Sequence, residues 1–102
     1  MKLITPEELK NLMDSGQETL LVDVREPYEH TEFNIGGLEI PLGRFHSMDV
    51  DELDEYKNKE IILYCRSGNR SGQACLILDS LGFEHTFNLQ GGMLAWRDKF
   101  GG

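Results

Sequence analysis

The chain has 102 residues, 39% hydrophobic and 27% charged, an ordinary balance for a globular protein that excludes a disordered or fibrous one. Residues 1–102 are expected to form a single domain with one core. A net charge of −8 argues against nucleic acid, whose phosphates need a face rich in Lys and Arg, and no apolar run is long enough for a membrane span.

The opening "MKLITPEELK" turns polar too soon for a signal-peptide core, which favours the cytoplasm. Lys2 to Thr5 reads as a short strand. Thr5-Pro6-Glu7-Glu8 then supplies an N-cap, a proline at the first helical position and acids in the first turn. Leu9, Leu12 and Met13 give that helix its apolar stripe, and Ser15-Gly16 ends it. "TLLVDV", Thr19 to Val24, is a continuous apolar run of the buried-strand type. "EPYEHTEF" follows as a short helix and "LEIP" as a brief strand. The acidic run Asp49 to Tyr56 reads as a solvated helix or loop face, because its carboxylates lack the spacing and glycine of a calcium loop.

"EIILYC" is the next buried strand, and Ala74, Ile77, Leu78 and Leu81 then recur at i, i+3, i+4, i+7, one face of a helix over Ser71 to Leu81. "HTFNL" is a last strand and "GGMLAWRDKF" a closing helix, in which Trp96 is expected to pack. Strands alternating with helices imply an α/β fold, a mostly parallel sheet with helices on both faces. The terminal Gly101-Gly102 reads as a frayed tail. Gly91-Gly92 lacks the companions of a phosphate-binding loop and reads as a tight turn that lets the last helix pack closely.

Ligands of open α/β sheets sit at the carboxyl ends of the strands, and Cys65 stands at one such end, before a helix start. Helix-start amides lack intrahelical acceptors and carry partial positive charge. A loop of Cys65, Arg66, Ser67, Gly68, Asn69 and Arg70 curling over that start would aim N–H groups at the sulfur. With two guanidiniums beside it, the thiol becomes a stabilised thiolate next to an anion cradle. Two chemistries fit: phosphate-ester hydrolysis and transfer of a sulfane sulfur. Cysteine phosphatases place five residues between cysteine and arginine, whereas here four intervene and Ser71 occupies the phosphatase arginine's place. The smaller ring disfavours a phosphoryl group, and with it a phosphatase or arsenate reductase. Cys65 and Cys75 make neither a disulfide framework nor a zinc spacing, and Cys75 reads as a small buried hydrophobe. His30, His46 and His85 are dispersed, none placed by sequence as a general base.

"DVREPYEHTEF", "IPL", "CRSGNRS", "LGF" and "NLQGGMLAW" together resemble the rhodanese-type single-domain sulfurtransferases, in order over nearly the whole chain. The resemblance implies a parallel five-stranded sheet flanked by helices. It also implies a double displacement without metal or organic cofactor: Cys65 takes the outer sulfur of a small anionic donor such as thiosulfate or a persulfide, and the resulting Cys65 persulfide passes it to cyanide or a thiol. A redox or sulfur-carrier protein is the expected partner class, and a sulfur relay or partner-binding module without turnover is the alternative. Among the motif residues, Asp23 and Arg25 are expected to form a structural pair, Arg66 to present charge at the mouth, and Arg70 to brace the loop on a carboxylate. Two departures stand out. Ser67 replaces the Lys or Arg of thiosulfate-specialised members, and Asn34-Ile35-Gly36-Gly37 replaces the usual Gly-His-Ile-Pro-Gly turn, as in domains attached to adenylating enzymes of sulfur-carrier pathways.

Overall fold

Side chains of the run Glu60–Tyr64 and of Cys65 alternate between two separate cores. Ile61, Leu63 and Cys65 enter one cluster, with Val22, Val24, Phe45, Leu53, Ala74, Cys75 and Leu78. Ile62 and Tyr64 enter the other, with Leu9, Leu21, Leu89, Met93 and Trp96. A strand buried on both faces produces this pattern, because successive side chains point to opposite sides.

A computed structural model describes residues 1–101 of the chain. Its elements run β1 (Lys2–Ile4), α1 (Pro6–Asp14), β2 (Leu20–Asp23), α2 (Pro27–Glu32), β3 (Leu38–Glu39) and α3 (Leu42–His46). A 3-10 turn (Asp51–Tyr56) precedes β4 (Glu60–Tyr64), α4 (Asn69–Ser80), β5 (His85–Leu89) and α5 (Gly92–Phe100). The strands form one five-stranded sheet in the order β1-β5-β4-β2-β3, and every pairing is parallel. The two clusters cover the two faces of the sheet. Leu9 and Leu12 of α1 and Met93 and Trp96 of α5 belong to one; Phe45 of α3 and Ala74, Cys75 and Leu78 of α4 belong to the other. Among the described residues no helix is long and apolar enough to cross a membrane.

Local chemistry accounts for the element starts. Thr5 Oγ1 accepts the Glu8 amide at 3.1 Å while Glu8 Oε1 accepts the Thr5 amide at 2.9 Å, a reciprocal cap with Pro6 at the first helical position. The turn before β3 is held by Asn34 Oδ1, which accepts the Gly36 amide at 2.8 Å, and by the Tyr64 hydroxyl, which donates to the Gly36 carbonyl at 2.8 Å. Gly37 follows at φ 93°, where a Cβ would lie 2.3 Å from the Leu21 carbonyl oxygen, so the turn needs glycine to pass over β2.

Several sequence expectations are corrected. Met13 is exposed, because α1 buries a narrower stripe through Pro6 and Leu9. The short helix α3 had no counterpart in the sequence reading; it turns the chain with only Phe45 buried. The acidic run from Asp49 is not wholly a solvated face: Leu53 within it is fully buried, while its carboxylates stay exposed. The helix after Cys65 begins at Asn69, two residues earlier than Ser71, and that shift matters at the site.

Candidate active site

At the carboxyl edge of the sheet, Cys65 leaves β4 and the chain loops through Arg66, Ser67 and Gly68 into α4. Gly68 sits at φ 101°, a left-handed conformation that an L side chain resists, and from there its amide donates to Cys65 Sγ at 3.1 Å. Because α4 starts at Asn69, Ser71 falls on its first turn, where backbone N–H groups have no helical acceptor. The Ser71 amide and hydroxyl both lie 3.4 Å from Sγ.

The second wall of the site is the start of α5. Its amides at Met93 and Leu94 donate to the carbonyls of Cys65 and Arg66 at 2.9 and 3.0 Å. With those carbonyls turned outward onto α5, the following amides of the loop are left to face the sulfur. This contact requires Gly92: a Cβ there would stand 2.5 Å from the Cys65 carbonyl oxygen and 2.6 Å from that of Arg66. The double glycine is therefore a close-approach turn against the cysteine loop.

Burial pushes the Cys65 thiol up. The hydrogen bonds from the Ser71 hydroxyl and amide, and from the Gly68 and Ser67 amides, outweigh it and hold the thiol below its ordinary range. Amides and one hydroxyl are the groups that lower the thiol most, while the Arg70 charge acts on it without a hydrogen bond. Arg70 forms a two-pronged pair with Glu29, at 2.8 and 3.0 Å. That pairing draws the Glu29 carboxyl down to about 2. Arg66 and Ser67 are exposed at the rim, and the Asn69 side chain accepts from Gln73 at 3.3 Å along the outside of α4. The Asn69 and Arg70 side chains are thus engaged by Gln73 and Glu29.

Asp23 and Arg25 form a buried pair. The Arg25 Nε and Nη2 donate to the two Asp23 oxygens at 2.9 and 2.8 Å, and Nη2 also donates to the Phe33 carbonyl at 2.6 Å. Burial alone would raise the Asp23 carboxyl, but Arg25 and His30 lower it on balance. His30 joins this pair rather than the cysteine: its Nδ1 lies 2.8 Å from Asp23 Oδ2. Helix α2 consequently holds the sheet edge through His30 and the cysteine loop through Glu29.

Three residues of this arrangement were missed in the sequence. Glu29 and His30 are adjacent on a short helix and offer no spacing that points at Cys65. Asn88, in "HTFNL", is a buried polar residue whose Nδ2 donates to the Gly68 carbonyl at 3.0 Å and whose Oδ1 accepts from the Ser71 hydroxyl. His85, Thr86 and Asn88 are all polar in that strand, and nothing in the sequence marked Asn88 as the one that reaches the loop.

The two cysteines should separate by chemistry. Cys75 is fully buried in the helix core, and burial pushes its thiol up to about 12. Iodoacetamide at neutral pH is expected to add one adduct per native chain, at Cys65, and two after unfolding. Intact mass and peptide mapping read the result; native labelling at Cys75 would contradict the assignment.

The family model described as Rhodanese-like domain matches residues 5–99. The Bacillus subtilis protein named putative sulfurtransferase YtwF is 39% identical over 100 residues, covering 97% of this chain and 93% of its own. The Mycobacterium tuberculosis protein named probable adenylyltransferase/sulfurtransferase MoeZ is 37% identical over 95 residues, covering 91% of this chain; the chain spans only 24% of that relative's length. Among solved structures, a rhodanese-like domain protein from Staphylococcus aureus superposes with a TM-score of 0.80 at 32% identity, over 94% of this chain and 91% of its own.

Proposed function

The chain belongs to the rhodanese-like domain family, and on that premise we propose that it is a sulfurtransferase working through a persulfide on Cys65. The observation that carries the proposal is the set of N–H and O–H groups converging on Cys65 Sγ. These donors keep the sulfur as a nucleophilic anion without a neighbouring base. In the first step the thiolate attacks the outer sulfur of a sulfane donor. A new sulfur–sulfur bond forms, the donor's own breaks, and the leaving group departs with the electron pair, as sulfite from thiosulfate. The persulfide's terminal sulfur then carries the negative charge, and the exposed rim of the loop with Arg66 lies on the side from which reactants reach it. In the second step an acceptor nucleophile, cyanide or a thiolate, attacks that terminal sulfur and expels the Cys65 thiolate unchanged.

Residues Arg66, Ser67, Gly68, Asn69 and Arg70 build the donor-binding loop, by backbone more than by side chain. Ser71 supplies a direct hydrogen bond, and Asp23 with Arg25 secures the sheet edge. With Ser67 in place of a second cation, a persulfide or polysulfide fits the donor's place as well as thiosulfate does. A relative named for both adenylyl and sulfur transfer supports a sulfur-carrier protein as one acceptor.

The test is incubation with thiosulfate or glutathione persulfide, intact mass, then addition of cyanide with assay of thiocyanate. A gain of about 32 Da that disappears as thiocyanate forms supports the transferase, because covalent catalysis requires that intermediate. Mass gain without turnover would leave a relay that stores sulfur. No gain from either donor, with phosphate released from an aryl phosphate, would replace the proposal with hydrolysis.

A further inference from the structure

We propose that Asn88 is a positioning residue for Cys65: its carboxamide holds the Ser71 hydroxyl hydrogen on one side and the Gly68 carbonyl on the other, and so decides what the sulfur receives. The inference rests on Cys65 being the reactive group, as read above. Asn88 lies on β5 opposite Leu63 of β4 and is 7% exposed. Its Nδ2 donates to the Gly68 carbonyl at 3.0 Å, which fixes the orientation of the carboxamide. Its oxygen must then face Ser71 Oγ, and since that oxygen bears no hydrogen, the hydroxyl is the donor between them.

Ser71 is fully buried and has one O–H hydrogen, yet two acceptors stand around it: Asn88 Oδ1 and, at 3.4 Å, Cys65 Sγ. A neutral sulfur is a weak acceptor and a charged one a strong acceptor. The hydrogen therefore rests on Asn88 when Sγ is a thiol or the inner atom of a persulfide, and turns to Sγ when the thiolate forms. The carboxamide oxygen competes with the anion for this hydrogen. The carboxamide nitrogen acts the other way, through Gly68, whose amide makes the shortest contact with Sγ at 3.1 Å. In the thiolate these two influences partly cancel.

That opposition gives a test that a packing role would not pass. The pH dependence of Cys65 alkylation by iodoacetamide, read by peptide mass, is measured in the wild type, Ser71→Ala, Asn88→Ala and the double variant. Far-ultraviolet circular dichroism checks that each is folded. Ser71→Ala is expected to raise the apparent Cys65 pKa. Asn88→Ala is expected to raise it more in the Ser71→Ala background than in the wild type, by about threefold or more in the ionisation constant. Equal shifts in both backgrounds, or none in either, would overturn the proposal. Should Asn88→Ala fail to fold, the near-isosteric and uncharged Asn88→Leu takes its place in the same cycle, with the same expected and overturning results. The readout needs no sulfur donor. A wild-type protein that takes up no sulfur defeats the transferase reading and leaves this cycle intact.

Discussion

Cys65→Ser is expected to remove sulfur transfer altogether, a fall on the order of 10³-fold or more in turnover, while leaving the protein folded. Both halves of that expectation come from the cradle. The serine oxygen can accept the same Gly68 and Ser71 donors that now reach Sγ, so the loop loses no partner and the melting temperature should move little. A hydroxyl, however, does not ionise near neutral pH as a cradled thiol does, and oxygen cannot hold a transferable sulfur. Intact mass should show no sulfur gain from any donor, and thiocyanate formation should match the protein-free rate. Residual turnover well above that rate would mean that another group carries the sulfur, and Cys75, fully buried, would be a poor substitute.

Gly92→Ala is expected to be the most damaging single methyl group in the site. The residue sits at φ 57°, and its Cβ would press on the carbonyls of Cys65 and Arg66 at 2.5 and 2.6 Å. These are backbone atoms that no side-chain rotation can move aside. Overpacking and the left-handed backbone together cost about 3 kcal/mol or more. For a chain of this size such a loss lowers the melting temperature on the order of 15 °C. The strain falls where α5 holds the cysteine loop through the Met93 and Leu94 amides, so Cys65 reactivity should drop even in the fraction that remains folded. Gly16→Ala is the control, since it shares a positive φ with no atom near its Cβ; it should lower stability by less and leave reactivity unchanged. Equal loss of reactivity in both variants would show that the α5 contact does not shape the loop.

The fold was legible because its sheet is buried on both faces. Runs such as Leu20–Asp23 and Glu60–Tyr64 are nearly all apolar, and between them lie helices with readable caps, as at Thr5. The loop around Cys65 was legible for a related reason: cysteine, glycine and arginine occur together between a strand and a helix. What the sequence could not convey is which partner each polar side chain chooses. Arg70 is adjacent to the loop in the chain, yet its guanidinium goes to Glu29, 41 residues away. Ser71 stood in the sequence as a supporting residue in the phosphatase arginine's place, and the helix start two residues earlier makes it a direct donor to the sulfur. Asn88 and His30 act across parallel strands and a crossover, where sequence spacing carries no distance information. The missed helix Leu42–His46 has a single buried residue, Phe45, too little apolar pattern to announce itself.

The central claim is that neutral donors, the loop amides and the Ser71 hydroxyl, make Cys65 an anion, with the arginines playing a minor part. Ionic strength separates the two causes. Salt screens exposed charges within about 10 Å at 0.1 M, whereas short hydrogen bonds to a buried sulfur are largely unaffected. The decisive measurement is the apparent pKa of Cys65, from its alkylation rate against pH, at low salt and again at about 1 M. The expected result is a value below the ordinary thiol range of about 8.5 that hardly moves with salt, reactivity being retained above that value and lost as pH falls through it. An ordinary thiol value, or a depression that disappears at high salt, would contradict the account.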